Sequence, residues 1–315
     1  MQEKSFMLLQ RILPVLLVFL ALATGAVAQE RPFDRTIDKV YTTIDGKDFY
    51  MDIFVPVDRG RIPALKPNDK GKGFALVDIG SGAWHSDRGK LDDHESAKMY
   101  DIFAARGYTV FAARPGDRDE YTCFEMVDHI KTAIRWVKAH AAEYGVDPDR
   151  VGLCGASAGG HLALMTILSA EPGDPNATDP LKKFSTEVVA AGIFFPPTDF
   201  LAWGSEKDPR ITDAIGNILF KGGAEGRSEE EVTAKAKEAS PLYHVKGKTI
   251  PMIIFHGDAD PVVPLSQSQK MVDKLRSVGS DVEFNIVPGG AHPWITIPLD
   301  VIKMADWFDK HLAGK

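Results

Sequence analysis

Val151-Gly152-Leu153-Cys154-Gly155-Ala156-Ser157-Ala158-Gly159-Gly160-His161 decides the reading of this 315-residue chain. A short apolar run, Val151 to Cys154, leads into Gly-x-Ser-x-Gly. A helix-forming stretch of small and apolar residues follows, from Ala158 to about Ala170. Strand, serine turn and helix in immediate succession force the serine into a strained backbone, and the flanking glycines keep other side chains out of its way. The hydroxyl then projects above the end of a sheet, with the partial positive charge of a helix N-terminus behind it. Ser157 is therefore a candidate nucleophile, and the Ala158 N–H a candidate donor to a developing oxyanion.

Outward from this turn the chain alternates strand-like and helix-like segments. Lys39 to Ile44 and Phe49 to Val55 flank Asp45-Gly46, a pair suited to the positive φ of a tight hairpin. Apolar runs at Phe74 to Ile79, Tyr108 to Ala113, Val188 to Phe195, Met252 to His256 and Val282 to Val287 supply further strands. Between them lie helical patterns at about Asp92 to Arg106, Cys123 to Tyr144, Ser266 to Val278 and Leu299 to Leu312. Such alternation specifies an α/β domain, a mostly parallel sheet with helices on both faces. Leu201 to Ser240 departs from it. This polar segment, containing Glu206, Lys207, Asp208, Arg210 and Ser228-Glu229-Glu230-Glu231, is too long for a simple connection and reads as a small polar cap insertion.

A serine hydroxyl needs a base, and the base needs an orienting acid. The chain has nine histidines. On this topology the acid and then the base should follow the serine on loops after later strands. His292, in Pro288-Gly289-Gly290-Ala291-His292-Pro293, fits the base. Gly257-Asp258-Ala259-Asp260-Pro261 offers two carboxylates. Asp260 lies deeper in that loop, before a rigidifying proline, and is preferred as the acid, leaving Asp258 to stabilise the turn. His256 reads as a structural hydrogen-bonder, His161 as a packed residue near the turn and His311 as solvent-facing. The loop Gly80-Ser81-Gly82-Ala83-Trp84 should provide the second oxyanion donor, with Gly82 the first choice and Ser81 and Ala83 its neighbours. Trp84, Phe195, Trp203 and Trp294 are candidate substrate-binding residues, a role that competes with core packing.

Composition is that of an ordinary globular protein: 44% hydrophobic, 26% charged, 28 Gly and 20 Pro. A net charge of −7 without a basic run argues against a nucleic-acid partner. Two cysteines, Cys123 and Cys154, form no metal-ligand spacing and read as two free thiols. No metal or organic cofactor is expected. Lys4 and Arg11 flank the apolar run Ile12 to Leu22, and Ala26-Val27-Ala28 follows. This reads as a signal peptide over residues 1–28, with residues 29–315 as the catalytic domain, secreted or periplasmic and without a stable membrane span.

These residues together resemble the α/β-hydrolase superfamily, in its carboxylesterase and carbohydrate-esterase-like branch, which includes acetyl-xylan and feruloyl esterase-like proteins. The resemblance rests on the Asp45-Gly46 hairpin, Asp147-Pro148-Asp149-Arg150-Val151 running into the serine turn, Pro197-Thr198-Asp199-Phe200, Ala239-Ser240-Pro241 and His256 through Pro264. It implies an α/β-hydrolase fold and an esterase with Ser157, His292 and Asp260 as its triad. A small-molecule or polysaccharide-linked ester, with short acetyl or feruloyl groups on carbohydrate, is the implied substrate. The family usually has His-Gly-Gly-Gly-Trp where this chain has Gly80-Ser81-Gly82-Ala83-Trp84, which puts the oxyanion geometry in question. Two other readings stay open: a prolyl-peptidase-like serine peptidase, and a catalytically inactive hydrolase-like binding protein.

Overall fold

A computed structural model describes residues 31–57, 68–203 and 210–312. The expected signal peptide, residues 1–28, lies outside the described residues, as do Glu206, Lys207 and Asp208 of the expected cap. The first two strands, β1 (Phe33–Ile44) and β2 (Lys47–Pro56), pair antiparallel as the hairpin turn requires, with Asp45 at φ 50° and Gly46 at φ 76°. The later strands are β3 (Ala75–Ile79), β4 (Thr109–Ala113), β5 (Val151–Ala156), β6 (Ala190–Phe194), β7 (Met252–Gly257) and β8 (Val282–Val287). They form one eight-stranded sheet in the order β1-β2-β4-β3-β5-β6-β7-β8. Only β1–β2 and β2–β4 are antiparallel.

Strands β3, β4 and β6 are buried along their whole length, as expected when helices cover both faces. One face is covered by α3 (Cys123–Ala139), α4 (Ala158–Leu168) and α7 (Leu265–Ser277), through residues such as Ile130, Leu162 and Met271. The opposite face carries α2 (Met99–Ala105) and α8 (Ile297–Leu312), packed through Phe103, Val301 and Met304. A capping box opens α3: Glu125 N–H donates to Thr122 Oγ1, and Thr122 N–H donates to Glu125 Oε2.

Two helices differ from the sequence pattern. The helix expected from Asp92 to Arg106 is split into α1 (Arg88–Ser96) and α2, with Lys98 at φ 62° reversing the chain between them. Every residue of α2 is buried, whereas α1 buries only Leu91, so the halves face different surroundings. The helix expected to reach Tyr144 ends at Ala139, and a 3₁₀ turn, Ala141–Tyr144, completes the span. In the polar segment Leu201 to Ser240, α5 (Arg210–Leu219) and α6 (Glu229–Glu238) lie against each other. Ser228 caps α6, and its first turn holds Glu229, Glu230 and Glu231, where the helix dipole favours acids.

The sheet order sets the site. Strand β5 ends immediately before Ser157, with the loops after β3 and β4 on one side and those after β6, β7 and β8 on the other. The two motif glycines are steric requirements. A Cβ on Gly155 would sit 2.5 Å from Gly159 O, and one on Gly159 would sit 2.6 Å from Ile79 O. Because backbone cannot move aside as a side-chain tip can, Gly155→Ala is expected to cost about 3 kcal/mol or more. Chemical denaturation checks this; an unchanged midpoint would mean the turn tolerates a methyl group there.

Candidate active site

Ser157 adopts φ 53° and ψ −120°, outside the regions open to most residues, as the strand–serine–helix pattern demands. Its N–H donates to Phe194 O at 2.9 Å, and its carbonyl accepts from His161 N–H at 2.9 Å, which pins the strained turn from both sides. The Ser157 hydroxyl donates to His292 Nε2 at 2.9 Å, and His292 Nδ1–H donates to Asp260 Oδ2 at 2.7 Å. Three residues on loops after three different strands thus form one hydrogen-bonded chain, an arrangement suited to a nucleophile, a base and an orienting carboxylate.

Asp260 is held as firmly as it holds His292. Its Oδ1 accepts from Val262 N–H at 2.8 Å and Val263 N–H at 2.9 Å. Burial pushes its carboxyl up, but contacts from His256, His292 and the Val263 N–H outweigh that and hold it well below the usual carboxylate range. His256, fully buried, donates from Nε2 to Val263 O at 2.8 Å and accepts at Nδ1 from the Ser268 hydroxyl at 2.6 Å. It therefore fixes the loop that carries the acid. Asp258 reaches beyond its own turn: its Oδ1 accepts from Gly289 N–H at 2.6 Å, tying the Asp260 loop to the His292 loop. A further strut is Ala259 N–H to Gly290 O at 3.0 Å.

The expected oxyanion donor Gly82 is corrected by the structure. Gly82 N–H donates to His85 O, and His85 N–H to Gly82 O, both at 2.9 Å. With Ala83 at φ 49° and Trp84 at φ 59°, residues 82–85 form a type I′ turn, which consumes the Gly82 N–H. Ser81 N–H is likewise engaged, with Ile79 O at 3.0 Å. The N–H groups of Ala83 and Ala158 have no acceptor among the described residues.

A cleft of about 810 Å³ opens over Ser157 and His292. Of the four aromatic candidates, Trp84, Phe195 and Trp203 line it. Phe195 packs its ring 4.3 Å from that of His292, and Trp203 donates from Nε1 to Val262 O at 3.2 Å. Trp294 does not line it: its Nε1–H is taken by Asp300 at 2.8 Å, and its ring packs into the core beside Phe194 and Phe195. From the polar segment 201–240, Trp203 and Ile215 reach the cleft, whereas Ile218 and Leu219 are buried in the core. Cys123 and Cys154 are buried free thiols, and Cys154 donates to Asp78 Oδ1 at 3.4 Å. His311 is not solvent-facing; its ring lies 4.0 Å from that of Trp307.

His161 links the Gly82–His85 turn to the polar segment. Trp84 Nε1–H donates to His161 Nδ1 at 3.1 Å, and His161 Nε2–H donates to Ala239 O at 2.8 Å. Complete burial lowers its pKa from the ordinary 6.5 to about 4, against the Ala239 contact that favours the charged form. The unfolded chain therefore takes up this proton before the folded one does. Stability is complete above pH 6.5 and is lost by roughly 3 kcal/mol as pH falls to about 4. Urea titrations across that window should show the slope in the native chain and a flatter one in His161→Gln; equal slopes would assign the loss elsewhere.

Among the described residues, His85, Asp117 and Asp119 are the group that brings three ligand-type atoms within 4.8 Å of one another. His85 Nδ1 already lies 2.9 Å from both Asp117 oxygens, so the group reads as a hydrogen-bonded surface pair. Lys90, His94 and Arg118 also line the cleft, and sequence patterns offered no sign of them. No helix among the described residues is long and apolar enough to cross a membrane.

The BD-FAE family model matches residues 64–275, about two thirds of the chain, and spans Ser157 and Asp260. A curated relative, "Probable carboxylic ester hydrolase LipM" of Mycobacterium tuberculosis, is 34% identical over 154 residues, covering 48% of this chain and 34% of that protein. The chain spans between about a third and two fifths of the length of the curated relatives it matches first. Among solved structures, a truncated carbohydrate esterase from gut microbiota has a TM-score of 0.74 at 22% identity, covering 91% of this chain and 99% of that one; this likeness speaks to the fold. Esterase Est2 of the planctomycete Thermogutta terrifontis has a TM-score of 0.62 at 26% identity, covering 86% and 90%. The eight-stranded, mostly parallel sheet is thus the α/β-hydrolase fold, and the chain belongs to the BD-FAE family of α/β-hydrolase esterases.

Proposed function

We propose that this protein is a serine hydrolase of carboxylic esters, acting on short acetyl or feruloyl groups carried by carbohydrate. The observation that carries this reading is the chain of hydrogen bonds from Ser157 through His292 to Asp260. His292 takes the serine proton as Oγ attacks the ester carbon, and Asp260 stabilises the imidazolium and its tautomer. The Ala158 and Ala83 N–H groups receive the oxyanion. As the tetrahedral intermediate collapses, the alcohol leaves with the proton from His292. Water, deprotonated by the same base, then attacks the acyl-serine and releases the acid.

The cleft suits a modest substrate, since about 810 Å³ is within the range of small-molecule sites. Trp203, Val262, Ile215 and Ile295 give its β6–β8 side an apolar lining compatible with an acyl chain or an aromatic acid. Hydrolysis of p-nitrophenyl acetate, butyrate and octanoate tests the acyl preference. Rates should fall by about tenfold or more from acetate to octanoate, since a single methylene that a pocket does not accommodate is worth about 1–3 kcal/mol. A maximum at octanoate would instead indicate a lipase-like site. Cleavage of a prolyl p-nitroanilide in place of these esters would favour a peptidase. Export is proposed from the basic start, apolar run and Ala26-Val27-Ala28 of the sequence; a mature N-terminus at Gln29 in exported protein checks it, and an intact Met1 there would refute it.

A further inference from the structure

We propose that the cleft recognises a carboxylate on its ester substrate, through Lys90 and Arg118 placed on either side of the Gly82–His85 turn. This deepens the esterase reading and rests on it. Arg118 reaches the turn from the loop after β4. Its backbone N–H donates to Trp84 O at 2.9 Å and its guanidinium to Ala83 O at 3.3 Å, while Nε is buried with no partner among the described residues. Lys90 comes from α1 and lies across the turn: the position of a Cβ on Gly82 would be 2.9 Å from Lys90 Cδ and 3.6 Å from Nζ. Both line the cleft beside Ser157.

Two basic side chains here do not reflect the surface at large, since the chain carries a net charge of −7. One carboxylate lines the same cleft among the described residues, Asp93, and it does not neutralise them. Its side chain is 73% exposed and 3.9 Å from Lys90 Nζ, a distance and exposure at which an ion pair is weak. His94, one turn beyond Lys90, has its Nδ1 committed to buried Asp78 at 2.7 Å. The apolar lining lies on the β6–β8 side of Ser157 and the cations on the β3–β4 side. A substrate with an apolar end and an anionic end would satisfy both, the planar guanidinium taking the carboxylate in a fork and the ammonium adding charge. The carboxylate can belong to the alcohol, as in an acetylated uronic acid, or to the acyl group, as in a dicarboxylic half-ester.

Two matched pairs distinguish these sources in the full chain: a methyl O-acetyl-glucuronoside against the corresponding glucoside, and ethyl hydrogen glutarate against ethyl valerate. One charged member is expected to have at least about tenfold higher kcat/KM than its neutral partner, mainly through KM, and the advantage should shrink with added salt. In Lys90→Gln/Arg118→Gln the ratio should fall towards one, while Arg118→Lys keeps part of it. Absence of a preference in both pairs overturns the proposal, as does an equal loss on charged and neutral esters in the double variant. If no ester is turned over, the esterase reading fails and binding decides this one. Quenching of tryptophan fluorescence by glucuronate and glutarate, but not glucose, lost in the double variant, keeps the cation site; equal responses remove it.

Discussion

Ser157→Ala is expected to lower kcat/KM on p-nitrophenyl acetate by roughly 10⁴- to 10⁶-fold while leaving the fold intact. The size follows from the role proposed for the hydroxyl: on that mechanism no acyl-enzyme forms without it, and His292 can only assist direct attack by water, aided by whatever the Ala83 and Ala158 N–H groups still contribute. The fold survives because alanine keeps the same Cβ at φ 53° and ψ −120°, and the backbone bonds to Phe194 and His161 do not involve Oγ. Steady-state kinetics beside a thermal melt separates the effects. A loss below about tenfold would show that hydrolysis does not pass through this serine.

Asp260→Asn should cost roughly 10³- to 10⁴-fold in kcat, for a reason of proton placement. The introduced amide can still accept the Val262 and Val263 N–H groups at its oxygen, which turns its NH₂ towards His292 Nδ1. The ring must then carry its proton on Nε2, where it faces Ser157 as a donor and cannot act as base. Stability should change as well. The native carboxyl is held well below its ordinary range, so its contribution is present above the ordinary aspartate pKa of about 3.9 and is lost as pH falls below it. The uncharged variant lacks that contribution at neutral pH, so its urea midpoint should be lower there and approach the native one in acid. A kcat within about tenfold of native would mean that another group orients His292.

Much of this was legible in the sequence where a residue type has one structural use. Asp45-Gly46 announced a hairpin, and apolar runs separated by helical periodicity announced the parallel sheet. Ser157, Asp260 and His292 could be placed because the order of loops along a parallel sheet limits which side chains can meet. What escaped was decided by contacts with no local signal. Lys98 breaks a helix without glycine or proline because its two halves face different surroundings. Gly82 looked like the free donor because glycine suits close approach, yet the positive φ values fall on Ala83 and Trp84, which close a turn that uses the Gly82 N–H. The position of Trp294 depends on Asp300, six residues away, and those of Lys90 and Arg118 on the turn they flank.

The most direct test of the serine-esterase account is peptide mapping after reaction with a fluorophosphonate, with p-nitrophenyl acetate hydrolysis followed in the same sample. The account requires one adduct, on Ser157, forming in step with loss of hydrolysis and absent in His292→Ala. Hydrolysis that persists in fully labelled protein, or native protein that labels elsewhere or not at all, would contradict it.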